Sequence, residues 1–132
     1  MSNIVVQPVQ NQAIIRATEI AERLELPLVT QTDPGQQFVL EVSVEGLAIR
    51  DRRQVRTLPV QVVCSNLRRP SRGRDLLARA IGRTNKTVID ATAGFGRDAF
   101  HLASLDRRVT GIERSPVLAE LLIAALNQPA AE

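Results

Sequence analysis

The sequence predicts an α/β chain in two parts. A small α+β subdomain over residues 1–67 precedes the opening part of a doubly wound parallel sheet over residues 68–132. Three observations lead there. Residues 87–113 run in the order strand, glycine turn, helix, strand, the order of a parallel β-α-β unit. Residues 11–25 repeat apolar side chains at the helical period, whereas residues 38–44 alternate them at the strand period. A length of 132 residues with 44% hydrophobic content suffices for a real core, with no internal repeat or low-complexity run.

In chain order, residues 4–6 predict a short first strand. Over residues 11–25, Ala13, Ile14, Ala17, Ile20, Ala21 and Leu24 form the apolar stripe of a helix, and Arg16, Glu19, Glu22 and Arg23 face outward. Pro27 is expected to close that helix, with Leu28 and Val29 a further extended piece. Residues 32–35 signal a turn. Phe38, Leu40, Val42 and Val44 share one face of a strand, Glu45-Gly46 turns the chain, and residues 47–50 return as a hairpin arm. Residues 60–64 read as a third strand, with Cys64 an inert buried thiol inside it. A helix is expected over residues 75–81, capped by Gly82. After Glu113, Ser115 can cap a last helix with Pro116 at its first position, ending near Gln128-Pro129. Val117, Leu118, Leu121, Leu122 and Ala125 would form its apolar face.

The net charge of +3 conceals a strong asymmetry. Residues 50–86 hold ten Arg and one Lys against two Asp, a local charge of +9, while both flanking segments are acidic. Arg50, Arg52, Arg53 and Arg56 form one cluster; Arg68, Arg69, Arg72 and Arg74 form a second, in a loop with Pro70 and Gly73. Such a loop is either a solvated connector or a phosphate-gripping element, and guanidinium forks suit phosphate. Base stacking on aromatic rings is poorly supplied, since the chain has three Phe and neither Trp nor Tyr. A single cysteine excludes an internal disulfide and fits a reducing, cytoplasmic setting. No apolar run approaches a membrane span, and no signal-peptide pattern opens the chain. No metal-ligand set is evident. His101 falls in a helix with no partner base in view, so a packing or surface role is expected of it.

The chemistry concentrates at residues 90–114. Thr87, Val88 and Ile89 lead into Asp90, and the small-residue turn that follows contains Gly94 and Gly96. Glycines there let the backbone approach a ligand, and the amides that open the next helix favour a carboxylate or phosphate. An acid at the tip of the second strand can accept hydrogen bonds from ribose hydroxyls; Glu113 lies 19 residues after Gly94. The unit therefore reads as the start of a nucleoside site. Gly94, Gly96 and Ala99 also fit the dinucleotide spacing, but Asp90 and Asp98 would face the phosphates. Acids at those places suit a ligand with an ammonium and a sulfonium group, S-adenosylmethionine.

From Asp90 to Phe100, then Leu102 to Leu105 and Glu113 to Val117, the chain resembles the RsmJ family, S-adenosylmethionine-dependent guanine-N2 methyltransferases of 16S ribosomal RNA. The resemblance is dense over residues 87–122, looser over 76–82 and schematic before that. It implies a partial Rossmann-like class I methyltransferase domain, S-adenosylmethionine as cofactor, and 16S rRNA or the small ribosomal subunit as partner. It also implies roles. Gly94 and Gly96 permit close backbone approach, and Arg97 and Asp98 bind the methionine end. Glu113 holds the ribose hydroxyls, Arg114 flanks the adenosine, and Asp90 orders the turn or the ammonium. Arg68, Arg69, Arg72 and Arg74 stand where the family has a His-Arg-Arg, glycine-rich segment; this chain lacks the His and has fewer glycines there.

The family's downstream Asp-Pro-Met-Phe-Pro acceptor segment has no counterpart in the chain, so its catalytic residues cannot be assigned. The expectation is a fragment or truncated product, inactive by itself, with an open strand edge and an uncovered sheet face. Two other readings stay open: a non-catalytic RNA-binding module on a degenerate methyltransferase half, and an NAD(P)-binding enzyme.

Overall fold

The computed structural model describes residues 3–64 and 75–128. Contacts group the chain into two compact units, residues 1–62 and 63–132. The expected boundary at residues 67/68 lies outside the described residues.

The first unit is a three-stranded sheet with one helix. Strand β1 (Ile4–Pro8) leads through a 3-10 turn (Asn11–Ala13) into helix α1 (Ile14–Leu24). Strands β2 (Phe38–Val42) and β3 (Leu47–Asp51) follow. The strand order is β1-β2-β3. β1 runs parallel to β2, with Ile4 opposite Phe38 and Pro8 opposite Val42. β2 and β3 are antiparallel, with Leu40 opposite Ile49. α1 packs on β1 and β2 through Ala17, Ile20 and Ala21, which are buried. Ile14, expected on the same stripe, is instead 44% exposed at the first helical residue.

Three local expectations need correction here. The helix ends before Pro27: Glu25 takes a left-handed φ of 54°, and Leu26 donates back to the Ala21 carbonyl at 2.9 Å. This C-terminal motif satisfies the last carbonyls without help from proline. Residues 27–29 then lie beside β1, where Val6 donates to Pro27 and Val29 donates to Val6. In β2 the buried face is not confined to alternate residues. Val39 and Leu40 are both buried although they point to opposite faces, and Val44 is exposed in the turn past the strand end. Finally, residues 60–64 form no strand. Val60 alone exchanges hydrogen bonds with Ile49, at 2.8 and 2.9 Å. Pro59 beside it has no N–H with which to extend the ladder.

The second unit has helix α2 (Leu76–Ile81), strand β4 (Thr87–Asp90), helix α3 (Arg97–Ala103), strand β5 (Arg108–Gly111) and helix α4 (Pro116–Leu126). β4 and β5 are parallel, Val88 opposite Val109. The caps are as the residue types suggest. Asp75 accepts from the Ala78 amide, Gly82 (φ 81°) ends α2, and the Ser115 hydroxyl accepts from the Leu118 amide with Pro116 opening α4. Leu102, Leu121, Ala124 and Ala125 are buried.

β4 is not the strand buried on both faces that its apolar run suggests: Ile89 is 70% exposed. Side chains alternate across a strand, and Val88 shares the face of Val109, toward α3 and α4, while Ile89 points to the other. Cys64 is half-buried rather than buried, and its thiol donates to the Ala125 carbonyl at 3.2 Å. No helix among the described residues is long and apolar enough to cross a membrane.

Candidate functional site

The site forms where β4 and β5 end. Asp90 closes β4, and its Oδ1 accepts the Thr92 amide at 3.1 Å, starting the turn. Two backbone bonds tie that turn to the continuation of β5: Ile112 donates to the Asp90 carbonyl at 2.8 Å, and Ala93 donates to the Ile112 carbonyl at 2.9 Å. Gly94 (φ 53°) and Gly96 (φ 77°) both sit in the left-handed region. They differ in surroundings. A Cβ at Gly94 would meet nothing closer than 3.8 Å, whereas one at Gly96 would lie 2.8 Å from Leu122 Cδ1 and 3.0 Å from the Phe100 ring. Gly96 is thus favoured by packing as well as by conformation, since a Cβ there would make Leu122 or Phe100 shift.

Glu113 completes the turn. Its Oε2 accepts the Gly94 amide at 2.8 Å and its Oε1 accepts the Ser115 amide at 2.7 Å. These bonds, the Ser115 amide first and the Gly94 amide second, hold its pKa below the usual glutamate value. The group is therefore a carboxylate at neutral pH, and each oxygen retains a lone pair for a hydroxyl donor. The Gly94 amide is spent on Glu113 rather than offered outward, which sequence reasoning did not anticipate.

The hydrogen bonds unite Asp90, Gly94 and Glu113 with the Gly96 turn, whose own amide donates to Ala93 at 2.7 Å. Arg97 and Asp98 are exposed on the first turn of α3, and Arg114 is exposed beside Glu113. Arg68, Arg69, Arg72 and Arg74 lie outside the described residues. The first arginine cluster is largely engaged within its own unit. Arg50 pairs with Glu41, Arg52 donates to the Asp33 and Gln36 carbonyls, and Arg53 pairs with Asp51 while its guanidinium stands 5.4 Å from the Phe38 ring centre. Arg56 is exposed.

Beneath the turn is a cavity of about 280 Å³ between α3, α4 and β5, lined by Ala93, Phe100, Val109, Gly111 and Leu122 among others. Among the described residues Glu113 is the one charged residue in that lining.

Two features escaped the sequence. A Cβ at Gly111 would lie 3.1 Å from Ala93 Cβ, so β5 passes tightly under the turn. A glycine at the end of a short strand was the available signal. His101, expected to have no partner base, in fact meets Asp75: Nε2 and Oδ2 are 2.6 Å apart across 26 residues. No short-range spacing announces that pair. Among the described residues no cluster of three or more metal-ligand side chains occurs.

A family model described as "Putative SAM-dependent methyltransferase" matches residues 10–132. The chain belongs to this family. S-adenosylmethionine is the cofactor the SAM-dependent methyltransferase family is named for. The ribosomal RNA small subunit methyltransferase J of Alkalilimnicola ehrlichii is 41% identical over 121 residues, covering 85% of this chain and 46% of that protein. The same-named protein of Halorhodospira halophila is 39% identical, covering 82% and 44%. The crystal structure of a SAM-dependent methyltransferase from Neisseria gonorrhoeae superposes with a TM-score of 0.72 at 30% identity, covering 92% of this chain and 51% of that one. The fold is thus a partial Rossmann-like methyltransferase fold. The chain spans about half the length of the curated relatives it matches.

Proposed function

We propose that this chain is the cofactor-binding portion of an enzyme that methylates the N2 amine of a guanine in 16S ribosomal RNA, with the small ribosomal subunit as partner. The observation that carries the reading is the clasp of Glu113 on the glycine turn, which sets an ionised acid beside a turn where Gly94 leaves open space for a close ligand. Membership of the methyltransferase family and the likeness to small-subunit RNA methyltransferases support the substrate class.

The residues fit the cofactor by charge. Asp90, Asp98 and Glu113 give the turn three carboxylates, which attract an ammonium and a sulfonium and repel a pyrophosphate. When bound, S-adenosylmethionine supplies a methyl group made electrophilic by its sulfonium. Glu113 would orient the ribose hydroxyls through its remaining lone pairs, and Asp98 and Arg97 would receive the methionine ammonium and carboxylate. Asp90 holds the turn in place through Thr92. Arg114 would flank the adenosine. These groups position and exclude water; none serves as a nucleophile.

Calorimetric titration of the protein with S-adenosylhomocysteine and, separately, with NADH tests the reading. Binding of S-adenosylhomocysteine and not NADH is expected. Binding of NADH alone would overturn it.

A further inference from the structure

A second groove lies at the opposite end of α3 from the glycine turn. It occupies about 700 Å³ between the end of α2 and the link from α3 to β5. With seven residues at about 1.5 Å each, α3 separates the two places by about 10 Å along its axis. Arg79, Arg83 and Arg107 line the groove, together with Asp75 and Asp106.

The charges do not cancel. Asp75 is already committed: Oδ1 accepts the Ala78 amide and Oδ2 meets His101. Arg107 spans the walls, its Nη2 donating to the Gly82 carbonyl at 3.0 Å. The end of α2 is satisfied without Arg79 or Arg83, since Asn85 donates to the Ile81 carbonyl and Gly82 to the Ala78 carbonyl. Among the described residues neither Arg79 nor Arg83 has an ion-pair partner, and both are exposed. Among the described residues Asp106 is the one uncommitted carboxylate in the lining. Gathering three guanidinium groups costs electrostatic energy that a bound polyanion offsets. Guanidinium forks match phosphate oxygens, and the α2 wall of the groove, with Arg79 and Arg83, falls within the +9 segment, whereas Asp106 and Arg107 lie beyond it.

We infer that this groove grips the phosphodiester backbone of the RNA substrate, as a second anchor away from the cofactor turn. The inference rests on the proposed RNA-directed function and adds where the RNA is held.

The test is fluorescence anisotropy of a labelled RNA hairpin against the 132-residue chain over a salt series, with S-adenosylhomocysteine calorimetry in parallel. The double variant Arg79→Gln/Arg83→Gln changes exposed side chains and leaves the Asp75 cap intact. It is expected to lower the slope of log K against log salt by roughly 1.5, at about 0.7–0.9 per phosphate contact. Asp106→Asn, at a φ of 58° that Asn tolerates, is expected to tighten RNA binding. Both variants should bind S-adenosylhomocysteine like the parent. An unchanged slope in the double variant overturns the groove assignment and leaves the cofactor reading standing. So does binding of poly-glutamate in preference to the hairpin. If the parent chain binds no S-adenosylhomocysteine, the proposed function fails and the RNA assignment falls with it.

Discussion

Gly94 donates its amide hydrogen to Glu113, 19 residues further on, at 2.8 Å. The turn and the tip of β5 are therefore one hydrogen-bonded object. The side chain proposed to hold the ribose also fixes the glycine turn, so changes at either partner should be felt at the other.

Replacing Glu113 with Ala removes both amide acceptors and the proposed ribose acceptor together. Calorimetry should show affinity for S-adenosylhomocysteine reduced by roughly tenfold or more, the scale of hydrogen bonds to a charged group. Glu113→Gln, which keeps one amide oxygen, should fall between. Unchanged affinity in the Ala variant would remove the ribose assignment.

The two glycines should respond unequally. Gly94→Ala places a Cβ in open space and costs about 1–2 kcal/mol for its left-handed backbone. Gly96→Ala adds a 2.8 Å contact with Leu122 and should cost about 1–3 kcal/mol more. Urea unfolding of the two variants measures the difference; equal losses would contradict the packing role of Gly96.

The Asp75 carboxyl is held below its ordinary pKa, by the Ala78 amide first and His101 after it. A depressed folded value means the stabilisation is present above the unfolded pKa, about 3.9, and is lost as pH falls through the lower folded value. Asp75→Asn retains a cap acceptor but not the charge. The melting-temperature gap between parent and variant should be largest near neutrality and close below about pH 4. A gap that persists at lower pH would show that charge is not its source.

Leu40 is fully buried in the central strand of the first unit. Leu40→Ala should cost about 2–5 kcal/mol by unfolding. Breaking the Arg53–Asp51 pair by Arg53→Gln should cost far less, because Arg53 is mostly exposed and such surface pairs contribute little. Comparable losses from the two changes would invalidate that ranking.

What the sequence reveals here is what neighbours in the chain decide. The strand–turn–helix order around Gly94 and Gly96, the Asp75 and Ser115 caps and the Gly82 stop all depend on residues within a few positions. Contacts that depend on distant chain are invisible to periodicity. His101 meets Asp75 across 26 residues, and the Gly111–Ala93 approach is set by how β5 enters the sheet. Apolar composition also overstates burial: the run before Asp90 promises a strand covered on both faces, yet Ile89 is open. Likewise Val60 and its neighbours have strand-like residues but pair at a single position beside Pro59.

That open isoleucine has company. Ile112, Ile123 and Leu126 of the same unit are each more than half exposed. Ile89 lies on one face of the strand pair, and Ile123 and Leu126 line the cavity on the other; together these exposed side chains should light up an environment-sensitive dye such as ANS and hold the protein on a phenyl column at moderate ammonium sulfate. Purification would then be gentlest in low salt with a mild non-ionic detergent.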